Sequence, residues 1–214
     1  MERQTKGQLH DILQYNQNFV ENRMYEEYLT TKFPNKKMVI VTCMDTRLTE
    51  LLPKALNLRN GDVKIIKNAG AIITQPFGNI MRSILVTIYE LKAREVMIIG
   101  HLDCGMTGLN ADAFLEKAKR YGISDQVLDT LQHSGLDMFR WWRGFQDVRE
   151  SVAQSVQIVR NHPLLPKGIP VHGLIIDPTT GKLEVVDDGY AELERLGQSM
   201  DQCALDANIS PERV

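Results

Sequence analysis

The chain has 214 residues and is short of several things. It has only three cysteines, at 43, 104 and 203. An odd number makes a poor disulfide framework, and unpaired thiols in a reducing compartment point to metal binding or catalysis. It has no excess of positive charge: 25 Lys and Arg against 27 Asp and Glu leave a formal net charge of −2 and a pI near 6.2. Without a basic footprint, neither nucleic acid nor a membrane surface is an expected partner, and a small or neutral substrate fits better. No run approaches the ~20 apolar residues of a membrane span, and the opening Met1-Glu-Arg-Gln-Thr-Lys6 lacks the apolar core of a signal peptide, so the expected location is cytoplasmic. Internal repeats, low-complexity tracts and linkers are also missing. The Cys-x-x-Cys of a thiol redox protein is absent, and so is a Gly-x-Gly-x-x-Gly turn after the first strand. A cysteine phosphatase loop is excluded because only three residues separate Cys43 from Arg47 and no glycine-rich anion nest follows.

What is present suits a single domain, since 43% hydrophobic residues in a chain of this length support one sizeable core. Residues 8–31 place Leu9, Ile12, Leu13, Phe19, Val20, Met24, Tyr25 and Tyr28 at helical spacing, which predicts an N-terminal amphipathic arm. Three apolar, β-branched runs follow, at 37–43, 63–67 and 95–100, with a short helix over 48–58 broken or kinked at Pro53 and a second over 79–93. Strand, helix, strand, helix, strand argues for a parallel sheet with right-handed crossovers. Beyond it, the pattern predicts helices over 111–120 and 124–133, and a long one over 137–160 whose Trp141-Trp142 pair reads as core or subunit contact. A hairpin at 170–186 turns at Asp177-Pro-Thr-Thr-Gly181. The expected architecture is therefore α/β: about four parallel strands plus a C-terminal antiparallel strand or hairpin, flanked by helices. The divisions are an arm (1–34), a core (35–188) and a polar tail (189–214) holding Cys203.

Two short stretches carry the chemistry, Val41-Thr-Cys43-Met-Asp45-Thr-Arg47 and Ile99-Gly-His101-Leu-Asp-Cys104-Gly105. Each closes an apolar run, so Cys43, His101 and Cys104 would converge at the carboxyl ends of parallel strands, where open α/β sheets place their ligands. Two thiolates and one imidazole suit zinc and leave one of its four tetrahedral positions open, whereas a structural zinc site normally shows four obvious ligands. Beside Cys43, Asp45 is either a fourth zinc ligand or a carboxylate held off the metal by Arg47. The plainer alternative for that pair is a surface salt bridge worth ~0–1 kcal/mol. His133, His162 and His172 have no ligand-type neighbours in sequence and read as surface or satisfied polar positions.

The order Cys43-Met-Asp45-Thr-Arg47 followed by His101-Leu-Asp-Cys104-Gly105 resembles the paired signature of the β-class carbonic anhydrases, Cys-x-Asp-Ser/Thr-Arg and His-x-x-Cys-Gly, and covers most of residues 35–110 with the Asn68-Ala69-Gly70 loop. The resemblance implies Cys43, His101 and Cys104 as ligands of Zn2+, Asp45 with Arg47 as a gating dyad, and reversible hydration of carbon dioxide to bicarbonate by zinc-bound hydroxide. It also implies a homodimer or higher even-numbered oligomer with an N-terminal helix over the partner. On that reading the Gly105 N–H, just after a ligand, is expected to help hold the bicarbonate oxygen. Leu85-Val86-Thr87 stands where many members carry Gln-aromatic-Ala, closer to the smaller archaeal-type branch. Carbon disulfide hydrolases share the zinc motifs. Hydrolysis of carbon disulfide or carbonyl sulfide, and a non-catalytic zinc protein with Asp45 kept on the metal, are the competing readings.

Overall fold

The structure, a computed structural model, describes residues 7–198 and 200. The chain divides into two compact units, 1–32 and 33–214. In the first, α1 spans Gln8–Glu21 and a single 3-10 turn spans Glu26–Tyr28. Of the helix or helix pair expected over 8–31, the arm is thus the pair, divided at Arg23, whose φ of 54° is left-handed and cannot continue a helix. Leu9, Ile12, Leu13, Val20 and Leu29 all stand exposed along it.

In the second unit the strands are β1 (Met38–Cys43), β2 (Val63–Asn68), β3 (Glu95–His101), β4 (Val171–Ile176) and β5 (Leu183–Asp187). They form one sheet in the order β2-β1-β3-β4-β5. The first three pairings are parallel and β4–β5 is antiparallel, as the sequence pattern predicts. Side chains alternate across the sheet: Val39, Val41, Val96 and Ile98 face one core, and Ile40 and Ile99 face the other. The first core is closed by α3 (Asn79–Tyr89), through Met81, Ile84 and Ile88, and by α7 (Val148–Arg160), through Val152, Val156 and Val159. The second is closed by α2 (Leu48–Ala55) through Leu48 and Leu52. Two glycines set how closely α7 lies on the sheet. A Cβ at Gly100 would sit 2.7 Å from Val152, and one at Gly173 would sit 2.9 Å from the same side chain.

Several expectations change. Pro53 does not break α2, which runs on to Ala55; the helix ends before 58 because Asn57 turns left-handed at φ 51°. Helix α3 stops at Tyr89 rather than 93, with Lys92 at φ 62° in the turn. The long helix over 137–160 is two helices, α6 (Met138–Trp141) and α7. Gly144 separates them because the chain there presses on the loop after β3: a Cβ would lie 2.0 Å from the Met106 carbonyl oxygen. Asp147 then caps α7, accepting from the Glu150 N–H at 2.8 Å. The intervening helices α4 (Ala111–Arg120) and α5 (Asp125–His133) fall where expected. Trp142 stacks on Phe114, with ring centroids 3.5 Å apart, while Trp141 is exposed. His162 and His172 are buried, and each takes the polar alternative at Nδ1, accepting from the Leu164 N–H and the Gly189 N–H respectively, both at 3.1 Å. The polar tail begins with a short helix, α8 (Gly189–Arg195); Cys203 lies outside the described residues.

Candidate metal centre

The strand order reverses between β1 and β3, and the two signature stretches end those adjacent strands. Thr42 pairs with Ile99 in register, and its buried hydroxyl donates to the Ile99 carbonyl at 3.0 Å, tying the two strand ends together. Just beyond, the Cys43 and Cys104 thiols lie 3.9 Å apart, and with the His101 ring their ligand atoms fall within 4.8 Å of one another. Two sulfurs on tetrahedral zinc, each ~2.3 Å from the metal, would stand ~3.8 Å apart, so the spacing suits that ion.

The histidine is oriented for the same task. Its Nδ1 lies 2.8 Å from the Leu102 carbonyl oxygen, which fixes the proton on Nδ1 and leaves the lone pair on Nε2. That Nε2 is fully buried and has no hydrogen-bond partner among the described residues. An unpartnered buried ring nitrogen facing two thiols fits the donor set of a zinc ion, because a buried polar atom left unmatched carries a desolvation cost that a metal bond would remove.

The thiols differ in their surroundings. Burial alone would push Cys43 up, but His101 and the Gly70 N–H, 3.3 Å from its sulfur, outweigh burial and bring it down to about 7. Gly70 sits at φ 76°, a left-handed turn that aims this N–H at the sulfur. Cys104 is pushed up to about 11 by burial and then by Cys43 beside it.

Asp45 is turned away from the three-residue cluster. Arg47 grips both of its oxygens, Nε to Oδ1 at 3.0 Å and Nη2 to Oδ2 at 2.8 Å, and the Arg47 backbone N–H adds a third bond at 2.9 Å. These bonds hold the carboxyl down at about 2. Its Oδ2 nevertheless remains 3.8 Å from His101 Nε2, at the edge of the metal position. Gly105 is exposed beside Cys104, and a Cβ there would meet no atom within 4 Å. Met106 and Phe145 pack against the cluster holding both cysteines. Sequence reasoning passed over these two and Asp103, which also bonds Arg47. The His-Leu-Asp-Cys stretch was the only signal for Asp103, and nothing marked Phe145, about 40 residues beyond Cys104.

A carbonic anhydrase family profile matches residues 38–183, which includes both signature stretches, the strands β1 to β4 and the first residue of β5. This chain belongs to the β-carbonic anhydrase family. It is 63% identical over 182 residues, covering 85% of this chain and 92% of the relative, to YvdA of Bacillus subtilis (strain 168), which is named provisionally as a carbonic anhydrase. It is 35% identical over 163 residues to the carbon disulfide hydrolase of Acidithiobacillus thiooxidans, covering 70% of this chain and 76% of that one. Among solved structures, the β-carbonic anhydrase isoform I (TvaCA1) of Trichomonas vaginalis aligns with a TM-score of 0.76 at 36% identity, over 86% of this chain and 100% of that one. The β-carbonic anhydrase fold and the thiol-imidazole cluster thus occur together here.

Proposed function

We propose that this protein hydrates carbon dioxide reversibly to bicarbonate, with Cys43, His101 and Cys104 holding Zn2+. The observation that carries the reading is the buried, unpartnered His101 Nε2 facing two thiols 3.9 Å apart. When bound, zinc supplies a Lewis acid that makes water nucleophilic near neutral pH.

The chain's own groups do the rest. Asp45 Oδ2, at the edge of the metal position, accepts a hydrogen bond from the attacking water and turns a lone pair toward the carbon. A carboxyl held near about 2 is too weak a base to keep a proton, so it orients rather than stores. Arg47 holds that carboxylate away from the position a metal would take; released, Asp45 would be free to turn toward that position and block it. The Gly105 N–H donates a hydrogen bond to a product oxygen. Met106 and Phe145 bring apolar surface to the cysteine cluster, which suits a linear, uncharged substrate. The same chemistry would accept carbon disulfide, and the 35% identity to a hydrolase of that compound makes it the second reading.

Carbon dioxide hydration and carbon disulfide hydrolysis measured side by side on one zinc-loaded preparation separate the two. The expected outcome is a higher kcat/KM for carbon dioxide. Hydrolysis of carbon disulfide without hydration would establish the second reading, and neither activity at any pH would favour a non-catalytic zinc protein. We also propose a homodimer or larger even-numbered assembly in the cytoplasm. Phe77, Leu85, Val86, Tyr89 and Leu164 line a shallow cavity of about 370 Å³ on the outer side of α3, an apolar surface suited to a second copy.

A further inference from the structure

We infer that Asp103 is a positioning residue that locks the Arg47 guanidinium in the orientation that keeps Asp45 away from the metal. The inference rests on the gate described above and adds a third member to it.

The geometry is as follows. Arg47 Nη1 donates to Asp103 Oδ2 at 2.9 Å and Nη2 donates to the Asp103 backbone carbonyl at 2.8 Å. The guanidinium therefore lies between two carboxylates. Its Nε and one Nη2 proton serve Asp45, while the other Nη2 proton and Nη1 serve Asp103. A free arginine side chain samples many rotamers, and a planar fork held along two edges keeps one. Asp103 can offer both its carboxylate and its carbonyl to one guanidinium because its backbone is left-handed, at φ 53°. Aspartate tolerates that conformation better than most residues with a side chain. The residue stands between His101 and Cys104, so Arg47 bridges the two metal-binding stretches as well as the two carboxylates.

Its energy cannot be the point. The Asp103 side chain is 87% exposed, and an exposed pair contributes little to stability. What Asp103 changes is where Arg47 waits. With Asp103 in place, Arg47 stays parked whether or not it holds Asp45, and Asp45 always has a partner to return to. Without it, Arg47 is free to swing into solvent, and Asp45 shifts toward the metal.

Two variants test this. Asp103→Gly removes the carboxylate while adopting the left-handed backbone without strain, so it preserves the loop and the carbonyl contact. Asp103→Asn keeps the left-handed preference and an acceptor oxygen, and serves as the rescue. Crystals of the zinc-loaded proteins, grown at one pH where the wild type shows Asp45 on Arg47, read the gate directly. We expect Asp103→Gly to bind zinc fully, to show Asp45 partly on the zinc, and to lower kcat by about three- to fivefold with KM little changed, the population shift an exposed ion pair can produce. Asp103→Asn should retain most of the wild-type pose and rate. Arg47→Ala is the control for the gate itself. If it places Asp45 on zinc while Asp103→Gly leaves Asp45 on Arg47 with wild-type kcat, the inference fails and the gate stands. If Asp45 stays off the metal even in Arg47→Ala, the gate and the inference fall together.

Discussion

Arg47 makes four hydrogen bonds from one guanidinium, to two carboxylates and a carbonyl, and a substitution there tests the gate most directly. Arg47→Ala should keep one zinc per chain, because no metal ligand is touched, yet lose roughly 10–100-fold in kcat/KM, the value of a charge-assisted bidentate contact of about 1.5–3 kcal/mol. Metal analysis and stopped-flow hydration on the same sample check both halves. Activity should rise with pH, because hydroxide would displace the Asp45 carboxylate from the open metal position more readily than water does; Asp45→Asn should keep zinc but flatten that rise, because a neutral amide is a poor competitor for the position. The thiols give a second pH-dependent expectation. Zinc needs both cysteines as thiolates; between about 7 and about 11 Cys43 has already lost its proton and Cys104 has not. Thiolate absorbance of the metal-free Cys203→Ser protein should therefore rise in two separate steps, near about 7 and near about 11; a single step would show that the two thiols do not differ. Apparent zinc affinity should fall as pH falls below about 7, where both thiols must give up a proton to bind. The ligands were legible in sequence because each ends an apolar run. Asp103 was not, since its contact with Arg47 depends on a backbone turn at φ 53° and on strands that meet only in the fold.

The element that sequence periodicity misreads is the stretch from β3 to α7. Residues 137–160 carry helical spacing throughout, yet the chain leaves the helix at Trp142 and re-enters it at Val148. Between them a short clasp forms: the Phe145 N–H bonds the Met106 carbonyl at 3.3 Å and the Gly108 N–H bonds the Phe145 carbonyl at 2.8 Å. Local propensity cannot foresee a break whose cause is a carbonyl on another loop. Strands, by contrast, were readable because a parallel sheet buried on both faces leaves near-continuous β-branched runs. Gly144→Ala should cost about 3 kcal/mol, an overpacking penalty against backbone that cannot yield. A denaturation curve measures the loss. Because Met106 follows Cys104 and Gly105, the same variant should also weaken zinc retention in a chelator competition. Wild-type stability and zinc retention together would mean that the clasp adjusts freely.

At the scale of the whole molecule, apolar surface exceeds what one small sheet covers. Helix α1 leaves Leu9, Ile12 and Leu13 exposed, and α3 leaves Val86 and Tyr89 exposed, each more than a third accessible. Light scattering at micromolar concentration should give an even-numbered mass, and a chain lacking residues 1–32 should dissociate at lower dilution; a monomeric full-length protein would refute the assembly.

The strand order also fixes a sequence of events in time. Cys43 leaves the ribosome about 60 residues before His101 and Cys104, and the described residues in between add no ligand to the cluster. The nascent chain therefore cannot complete the three-point chelate until β3 has docked beside β1, after β2 and α3 have already been made. Full metal capture would come late, once the sheet exists. Only a chain whose parallel sheet has assembled in the right register presents all three ligands to one ion.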